Sequence, residues 1–383
     1  MNEHSSRRKF LGQCAGVVAG GLMAGGLVAG GLVDACHALP VDPAPIRAYR
    51  RGGMLYRRLG HTDLFISALS FGSHTNPTYR VATDYGSMLN DEGQARRDRH
   101  IAKALDQGVN MVDVYENAGQ WQPMARMVKP KREKVLISIC RQTDQLVSQH
   151  IDAAARLFGH VDLYRIYLGD GPRVDDSILE QWDAIRRAKK TGKVRAIGVA
   201  VHLESMMLSA LDELEGLDYV MFPYNFIHAR ADYSQFLPRA IEKGVGLIAI
   251  KPLAAGSIAK LDPRARPGSQ PEDSRILLYK KANRPVLPAV VKKLTENLDR
   301  MPNESLCQAA MRFVYSRPFI ATAMPGMFQE HELDENYAAI QRHLELSRNE
   351  NDVLNAARRL SGAWGSTWLP RHYRWLDHCW RTS

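Results

Sequence analysis

Cysteine has the widest range of chemistry of any residue type in this chain, because a thiol can ligate a metal, form a disulfide or carry a lipid. The five cysteines are far apart in the sequence: Cys14, Cys36, Cys140, Cys307 and Cys379. No pair has the short spacing typical of zinc or iron–sulfur ligands, so we expect no metal site. An oxidising compartment would permit disulfides, and the spacing leaves their pairing open.

The N-terminal segment carries a second kind of chemical signal. Ser6–Leu11 reads SRRKFL, and the uncharged segment Gly12–Val33 that follows is rich in Gly, Ala, Val and Leu. A basic start and a mild apolar run indicate a secretory signal, and the paired arginines are typical of twin-arginine (Tat) export. The glycine pairs in the run disfavour a permanent transmembrane helix, because they lower its hydrophobicity. We predict a signal peptide over residues 1–38, cleaved after Ala35 or Ala38.

The signal predicts a periplasmic or other extracytoplasmic location, with the Tat translocon as a partner during export. This route carries folded proteins, often with a cofactor already bound, so it also indicates a cofactor. Cys36 follows Val33-Asp34-Ala35, which resembles a lipobox except that Asp34 stands where a small residue is usual. We expect a membrane association only if Cys36 is lipidated.

Composition fits a globular protein that does not bind nucleic acid. Of the 383 residues, 45% are hydrophobic and 24% are charged, and about 345 would remain after signal removal, enough for one α/β barrel. The net charge of +10 is spread along the chain. Its basic clusters accompany no nucleic-acid motif, so they predict a solvated basic surface.

Eight apolar runs separated by amphipathic segments predict parallel strands joined by helices. The runs are Ile66–Phe71, Val109–Val114, Val135–Cys140, Val161–Leu168, Val194–Val199, Tyr219–Phe222, Val245–Ile250 and Phe319–Met324. Eight strands of this kind close into a (β/α)8 TIM barrel, with chemistry at their C-terminal ends. An open doubly wound sheet is the alternative, and the lack of a Gly-x-Gly-x-x-Gly turn after the first run disfavours it.

The flanking segments complete the predicted domain organisation. Residues 39–53 read as a linker rich in Pro, Arg and Gly, and residues 54–360 form the barrel. Ala255–Pro302 reads as an elaborated loop between the seventh and eighth strands. Residues 361–383 form an aromatic-rich C-terminal tail, which either packs on the core or covers a ligand.

Five segments, in order, resemble the aldo-keto reductases. They are Met54–Gly60 with Ile66–Gly72, Gly108–Asp113, Gly192–Val199, Ile248–Gly256, and Pro325–Gly326 with Leu333–Asn336. The resemblance implies a barrel of aldo-keto reductase type with an N-terminal hairpin and a C-terminal extension. Val201-His202 and the sequence Ile-Lys-Pro-Leu look like the branch that often carries a C-terminal iron–sulfur cluster. Only Cys379 remains in this tail, so no cluster is expected.

The resemblance implies hydride transfer between a nicotinamide cofactor and a carbonyl, with a tyrosine as proton donor. In that family a lysine paired with an aspartate lowers the tyrosine pKa, and a histidine orients the carbonyl. Asp113 matches the aspartate. Ala118 stands at the tyrosine position, Cys140 at the lysine position and Tyr167 at the histidine position. Tyr115 lies three residues before the tyrosine position, so it could act as the proton donor only if this loop has a different conformation from that of the family.

Without its lysine, a buried Asp113 needs a new partner, because an unpaired buried carboxylate is costly. Arg141 and Arg165 are the nearest candidates in the sequence. An alternative catalytic acid would be Tyr167 as the proton donor, with Arg141 and Asp113 adjusting its pKa. The candidate catalytic residues are therefore Asp113, Tyr115, Cys140, Arg141 and Tyr167.

The same resemblance implies a site for NAD(P). Its candidate residues are Gly72, Ser73, Asn225, Lys251, Leu253, Gly326, Glu335 and Asn336. Glu332 stands where the family often has an arginine for the 2′-phosphate, and a carboxylate repels a phosphate. We therefore expect NADH to be favoured over NADPH. Met221 stands where the family has a glutamine beside the nicotinamide carboxamide. Ile250 stands where the family has an aromatic residue that packs on the nicotinamide ring.

Two functions remain open at this point. The first is an exported oxidoreductase that transfers hydride between a bound nicotinamide cofactor and a small aldehyde, ketone or alcohol. The alternative is a catalytically inactive barrel that binds a small molecule or a protein partner. The retained Glu335 and Asn336 favour the first, whereas Ala118, Cys140 and Glu332 favour the second.

Overall fold

The structure is a computed structural model that describes residues 47–81, 88–114, 118–141, 146–169, 171–225, 235–253 and 301–352. The predicted signal peptide, Cys36, Tyr115 and the aromatic tail over 361–383 lie outside these residues. So does nearly all of the predicted loop from Ala255 to Pro302.

A three-stranded antiparallel sheet precedes the barrel. Its strands, in spatial order, are β1 (Ala48–Arg51), β2 (Met54–Arg58) and β3 (Phe65–Ser67). Gly52 and Gly53 form the two-residue turn between β1 and β2, and both have positive φ, which this kind of hairpin turn requires. The predicted N-terminal hairpin is confirmed, and its predicted segment from Met54 onwards contains β2 and β3. Ala48–Arg51 lie in the segment 39–53 that was predicted to be a linker, but they form strand β1.

Seven parallel strands make up the curved sheet of the barrel. They are β4 (Met111–Asp113), β5 (Leu136–Arg141), β6 (Val161–Tyr167), β7 (Val194–Ala200), β8 (Tyr219–Pro223), β9 (Gly246–Ile250) and β10 (Ile320–Met324). Within the sheet each strand pairs with the next along the chain, from β4 to β10. Every connection between them is therefore a crossover, as a barrel of this class requires.

Residues 68–71 close the circle between the two edge strands. Leu69 pairs with Ala323 on β10, and Phe71 pairs with Val112 on β4, both in parallel orientation. The predicted first strand thus divides, with its first half in the antiparallel sheet and its second half completing the barrel. The predicted (β/α)8 fold is confirmed.

Helices cover the outside of the barrel. They are α1 (Asp91–Asp106), α2 (Ala118–Val128), α3 (Val147–Phe158), α4 (Asp176–Lys190), α5 (Glu204–Glu213), α6 (Phe236–Glu242), α7 (Leu306–Tyr315) and α8 (Glu330–Gln341). Short 3-10 helices lie at Pro77–Tyr79 and Lys129–Lys134. Local signals set several ends: Asn90 caps α1 by accepting from the Gly93 N–H, and Asp175 caps α4 by accepting from that of Ile178.

Strand alternation divides the apolar residues into two layers. One side of each strand packs on the helices, and the other faces the barrel interior. The interior layer includes Cys140, Leu163, Tyr219, Met221 and Ile248. In the described ranges, no helix has both the length and the apolar character that crossing a membrane would take.

A buried ionic cluster attaches α7 to the chain on either side of it. Arg312 Nε donates to Glu304 Oε1 at 2.9 Å, and its Nη1 donates to Glu350 Oε2 at 3.1 Å. All three side chains are at least 97% buried. Burial lowers the pKa of Arg312, but the hydrogen bonds to Glu350 and Glu304 outweigh it and raise the pKa above its ordinary value.

Replacing Arg312 with methionine should destabilise the protein by about 3–5 kcal/mol, because two buried carboxylates lose their shared cation. Urea unfolding followed by circular dichroism measures this loss. The exposed Arg187→Met on α4 is the control and should change the free energy of unfolding by less than about 0.5 kcal/mol. Equal effects of the two substitutions would contradict the role given to this cluster.

A candidate active site at the barrel mouth

A bidentate ion pair occupies the barrel interior. Arg165 Nη1 donates to Asp113 Oδ1 at 2.8 Å, and Arg165 Nη2 donates to Asp113 Oδ2 at 3.0 Å. Both residues are 1% exposed. Asp113 is the last residue of β4, and Arg165 lies on β6, two strands away. Of the two arginines considered from the sequence, the structure brings Arg165 to Asp113.

Ser138 on the intervening strand joins the two charged groups. Its hydroxyl donates to Asp113 Oδ1 at 2.8 Å and accepts from Arg165 Nη1 at 2.7 Å. Asp113 lies opposite Ser138 in the β4–β5 register. Ser138 was not among the predicted site residues, although its place two residues before Cys140 puts it on the same face of β5.

Tyr219 and Gly198 complete this buried layer. A Cβ on Gly198 would lie 2.6 Å from the Tyr219 ring, so the glycine makes room for that ring inside the barrel. Burial raises the pKa of Tyr219, and the charge of Arg165 offsets only part of the rise. Burial lowers the pKa of Arg165, but Asp113 raises it well above its ordinary value. At neutral pH the layer therefore holds the Arg165 guanidinium beside a neutral Tyr219 phenol.

Cys140 and Arg141 lie on opposite sides of β5. Cys140, at the family's lysine position, is fully buried in the barrel interior. Arg141 donates to Gln181 on α4, which lies outside the barrel. The expected cluster of Tyr167, Arg141 and Asp113 is thus not assembled, because alternation along the strand turns Arg141 away from the interior.

A second polar cluster lies at the C-terminal ends of β6, β7 and β9. Tyr167 ends β6, and its ring centroid lies 5.4 Å from that of His202, in an edge-on arrangement. His202 follows β7, and its Nε2 lies in hydrogen-bond contact with Lys251 Nζ. We refer to Tyr167, His202 and Lys251 as the mouth cluster. His202 was not among the predicted site residues, although its position just after a strand was a signal for one.

Lys251 has an unusual backbone. Its φ of 54° is in the left-handed region, which costs a non-glycine residue roughly 1–2 kcal/mol. Asn225, fully buried after β8, donates from Nδ2 to the Lys251 carbonyl at 3.1 Å and holds this conformation. Strained backbones of this kind concentrate at functional sites.

The predicted cofactor residues lie around the same end of the barrel. Gly72 and Ser73 follow the closing segment, and Leu253 packs on the core two residues after Lys251. Gly326 follows β10 and is exposed, and no described atom lies within 4 Å of a Cβ built on it. Among the described residues, the space beside Gly326 is therefore unfilled.

Glu332, Glu335 and Asn336 lie on α8, and the two glutamates have distinct hydrogen-bond partners. Glu335 accepts from the Ser305 hydroxyl, and Asn336 is buried. Glu332 accepts from the backbone N–H groups of Phe328 and Gln329, the latter at 2.9 Å. Burial raises the pKa of Glu332, and these two hydrogen bonds offset part of the rise. The start of α8 thus already holds a carboxylate of its own where the family binds a phosphate.

Breaking the Asp113–Arg165 pair should cost far more than breaking an exposed pair. Arg165→Met and Asp113→Asn should each lower the free energy of unfolding by about 3–5 kcal/mol, because each leaves the other group buried and uncompensated. The double variant should lose clearly less than the sum of the two. Urea unfolding of all four proteins measures this coupling.

The control is Lys193→Met, which removes an exposed pair with Asp152 at 2.7 Å. It should cost at most about 1 kcal/mol. Strict additivity of Arg165→Met and Asp113→Asn would contradict a direct interaction.

Comparison with known proteins identifies the family. The model of the aldo/keto reductase family matches residues 78–359. L-galactose dehydrogenase of Arabidopsis thaliana is 20% identical over 330 residues, covering 82% of this chain and 96% of that protein. A probable voltage-gated potassium channel subunit beta of the same plant is 25% identical over 314 residues, covering 75% of this chain and 91% of that protein.

A solved structure with a similar fold is an aldo-keto reductase from Bacillus halodurans. Its TM-score is 0.59 at 19% identity, over 79% of this chain and 95% of that chain. The family model extends from the loop after the closing segment to beyond α8, so the match is to nearly the whole barrel rather than to one motif. This chain belongs to the aldo/keto reductase family.

Proposed function

We propose that this protein is an exported oxidoreductase that transfers hydride between a bound nicotinamide dinucleotide and a small aldehyde, ketone or alcohol. The observation that carries the proposal is the mouth cluster. Three side chains able to hold or move a proton meet at the strand ends, where enzymes with this fold do their chemistry. Membership of the aldo/keto reductase family supports oxidoreductase chemistry.

Tyr167 is the proposed proton donor. When bound, a nicotinamide would supply the hydride for the carbonyl carbon, and the carbonyl oxygen then needs one proton. Lys251 donates to Nε2 of His202, which requires that nitrogen to be unprotonated. The lysine charge and the polarised imidazole beside Tyr167 favour its phenolate after the proton has left. Solvent then returns a proton to Tyr167.

Asp113, Arg165 and Ser138 have a positioning role in this scheme. Arg165 lies two residues before Tyr167 on the same face of β6. Its hydrogen bonds to Asp113 and Ser138 hold the strand end in place beneath the mouth cluster. The pair that the family uses to tune its tyrosine is here replaced by a closed ion pair below the reacting groups.

The described residues fit a dinucleotide without a 2′-phosphate. Exposed Gly326 leaves room beside the chain after β10, and Glu335 with Asn336 retains the adenine-binding pattern that the resemblance implies. The Glu332 carboxylate already occupies the N–H groups of Phe328 and Gln329. An incoming phosphate would meet this carboxylate at close range, so NADH is proposed over NADPH.

Separate observations support the proposed substrate class and the proposed export route. One relative is named L-galactose dehydrogenase, which supports a small alcohol or carbonyl substrate. The paired Arg7 and Arg8 support export by the Tat route. Because that route carries folded proteins, the dinucleotide is proposed to be bound before export.

A non-catalytic binding role is the second candidate. Cys140 stands at the lysine position, and Asp113 is already bound by Arg165 and Ser138. One relative is named as a probable channel subunit, which supports binding of a protein partner by a barrel of this family. The two roles differ in whether the mouth cluster transfers a proton.

Binding of NADH should be at least about tenfold tighter than binding of NADPH, which corresponds to roughly 1.4 kcal/mol. Glu332→Gln should narrow this preference, because the side chain loses its charge. Isothermal titration calorimetry of both dinucleotides measures it. Glu330→Gln, in the same helical turn, is the control and should leave the ratio unchanged. A wild-type preference for NADPH would overturn the assignment.

Tyr167→Phe should lower kcat by about 10²–10⁴-fold with little change in KM, because it removes a proton donor but no other group. Activity is followed by NADH absorbance against a panel of small aldehydes, ketones and sugars. Tyr49→Phe, on exposed β1, is the matched control.

His202→Asn and Lys251→Met should shift the pH profile of kcat. Full activity of Tyr167→Phe would remove Tyr167 as the acid.

A further inference from the structure

A cleft of about 250 Å³ opens between α1, the loop before it and the segment that joins β10 to α8. Basic side chains dominate its polar lining: His74, Arg96, Arg97, Arg99, His100 and His331. Glu330 is the acidic residue among the lining residues. Arg96 pairs with Glu92 at 3.0 Å. Among the described residues, Arg97 and Arg99 have no carboxylate within ion-pair distance.

Arg97 is the central residue of this cleft. It is 93% buried, and no described carboxylate lies within ion-pair distance. Its guanidinium donates to the carbonyls of His74 at 3.1 Å and of Gly72 and Ser73 at 3.4 Å, and it lies over the Phe71 ring. Burial lowers the pKa of Arg97 to about 10, so the side chain stays charged at neutral pH.

Buried arginines elsewhere in the described chain are better satisfied. Arg165 and Arg312 each have carboxylate partners. Arg57 also lacks a carboxylate, but it makes short bonds to the carbonyls of Tyr315 and Ile320, the latter at 2.8 Å. Two of the three hydrogen bonds of Arg97 are 3.4 Å long, and its Nε has no hydrogen-bond partner among the described residues.

His100 lies one turn further along the same face of α1. It is 96% buried, and its Nε2 also has no hydrogen-bond partner in the described ranges. Burial, with the charge of Arg97, lowers the pKa of His100 to about 4, so the ring is neutral at neutral pH. Arg97 Nε and His100 Nε2 are thus two buried polar atoms without partners beside a basic cleft, and an anion in that cleft would offset the buried charge of Arg97.

We propose that this cleft binds the phosphate group of a small organic molecule, with Arg97 as its principal contact. A doubly charged phosphate offers acceptors to several donors at once and compensates the buried guanidinium. Tyr79 lies under the Arg96 guanidinium and packs on Gly93, and with Phe328 it forms an apolar wall suited to the rest of the molecule.

Calorimetric titration of the purified protein at constant ionic strength tests the site without any measurement of enzyme activity. The probes are glycerol 3-phosphate, inorganic phosphate, sulfate and glycerol. Glycerol 3-phosphate should bind most tightly and glycerol should not bind. Arg97→Met should weaken binding of glycerol 3-phosphate by about tenfold or more, the effect of one lost charge-assisted contact. Arg156→Met, exposed on α3, should leave the affinity unchanged.

Arg97→Met also removes three hydrogen bonds to the first loop, so its fold is checked by circular dichroism. The double variant Arg96→Gln with Arg99→Gln changes only exposed side chains, and it should weaken binding several-fold even if Arg97→Met unfolds. Absence of binding to the wild type would overturn the proposal, as would equal binding of sulfate. If inorganic phosphate binds as tightly as glycerol 3-phosphate, the site takes free phosphate and the organic part of the proposal fails.

Discussion

The closed ion pair between Asp113 and Arg165 is the constraint on which the rest of the site depends. A carboxylate in the barrel interior is tolerated only with a partner, and the resemblance places Cys140 rather than a lysine beside Asp113. Arg165 on β6 supplies the cation that Asp113 needs, and the hydroxyl of Ser138 hydrogen-bonds to both side chains. Once Asp113 is bound in this way, it no longer faces the barrel mouth as a reacting group. Any acid–base chemistry must come from residues further along the strands.

The mouth cluster meets that requirement because strand alternation carries the interior face of β6 from Arg165 to Tyr167. The neighbouring strand ends bring His202 and Lys251 to the same place. The left-handed backbone of Lys251, held by Asn225, indicates that the lysine position is maintained against a local cost. The protein thus combines a stable ionic layer inside the barrel with a separate polar layer at its mouth.

The fold was predictable from the sequence because the periodicity of apolar runs and the helix caps act locally, and both agreed with the family resemblance. The site was predictable only in part. Asp113 and its need for a cation followed from burial, but the choice of Arg165 over Arg141 depended on which face of each strand is interior. His202 and Lys251 are 49 residues apart in the sequence, and no local pattern predicts their contact. The capping role of Glu332 likewise depends on the path of the chain before α8.

Native mass spectrometry of the purified protein, with an absorbance spectrum of the same sample, is the measurement that decides between an oxidoreductase and a binding protein. We predict a barrel that carries one nicotinamide dinucleotide, with the mass of NAD(H) rather than of its phosphorylated form. A barrel that is empty, and that also fails to bind added NADH or NADPH, would contradict the oxidoreductase assignment. That result would leave a binding protein built on the fold of a reductase.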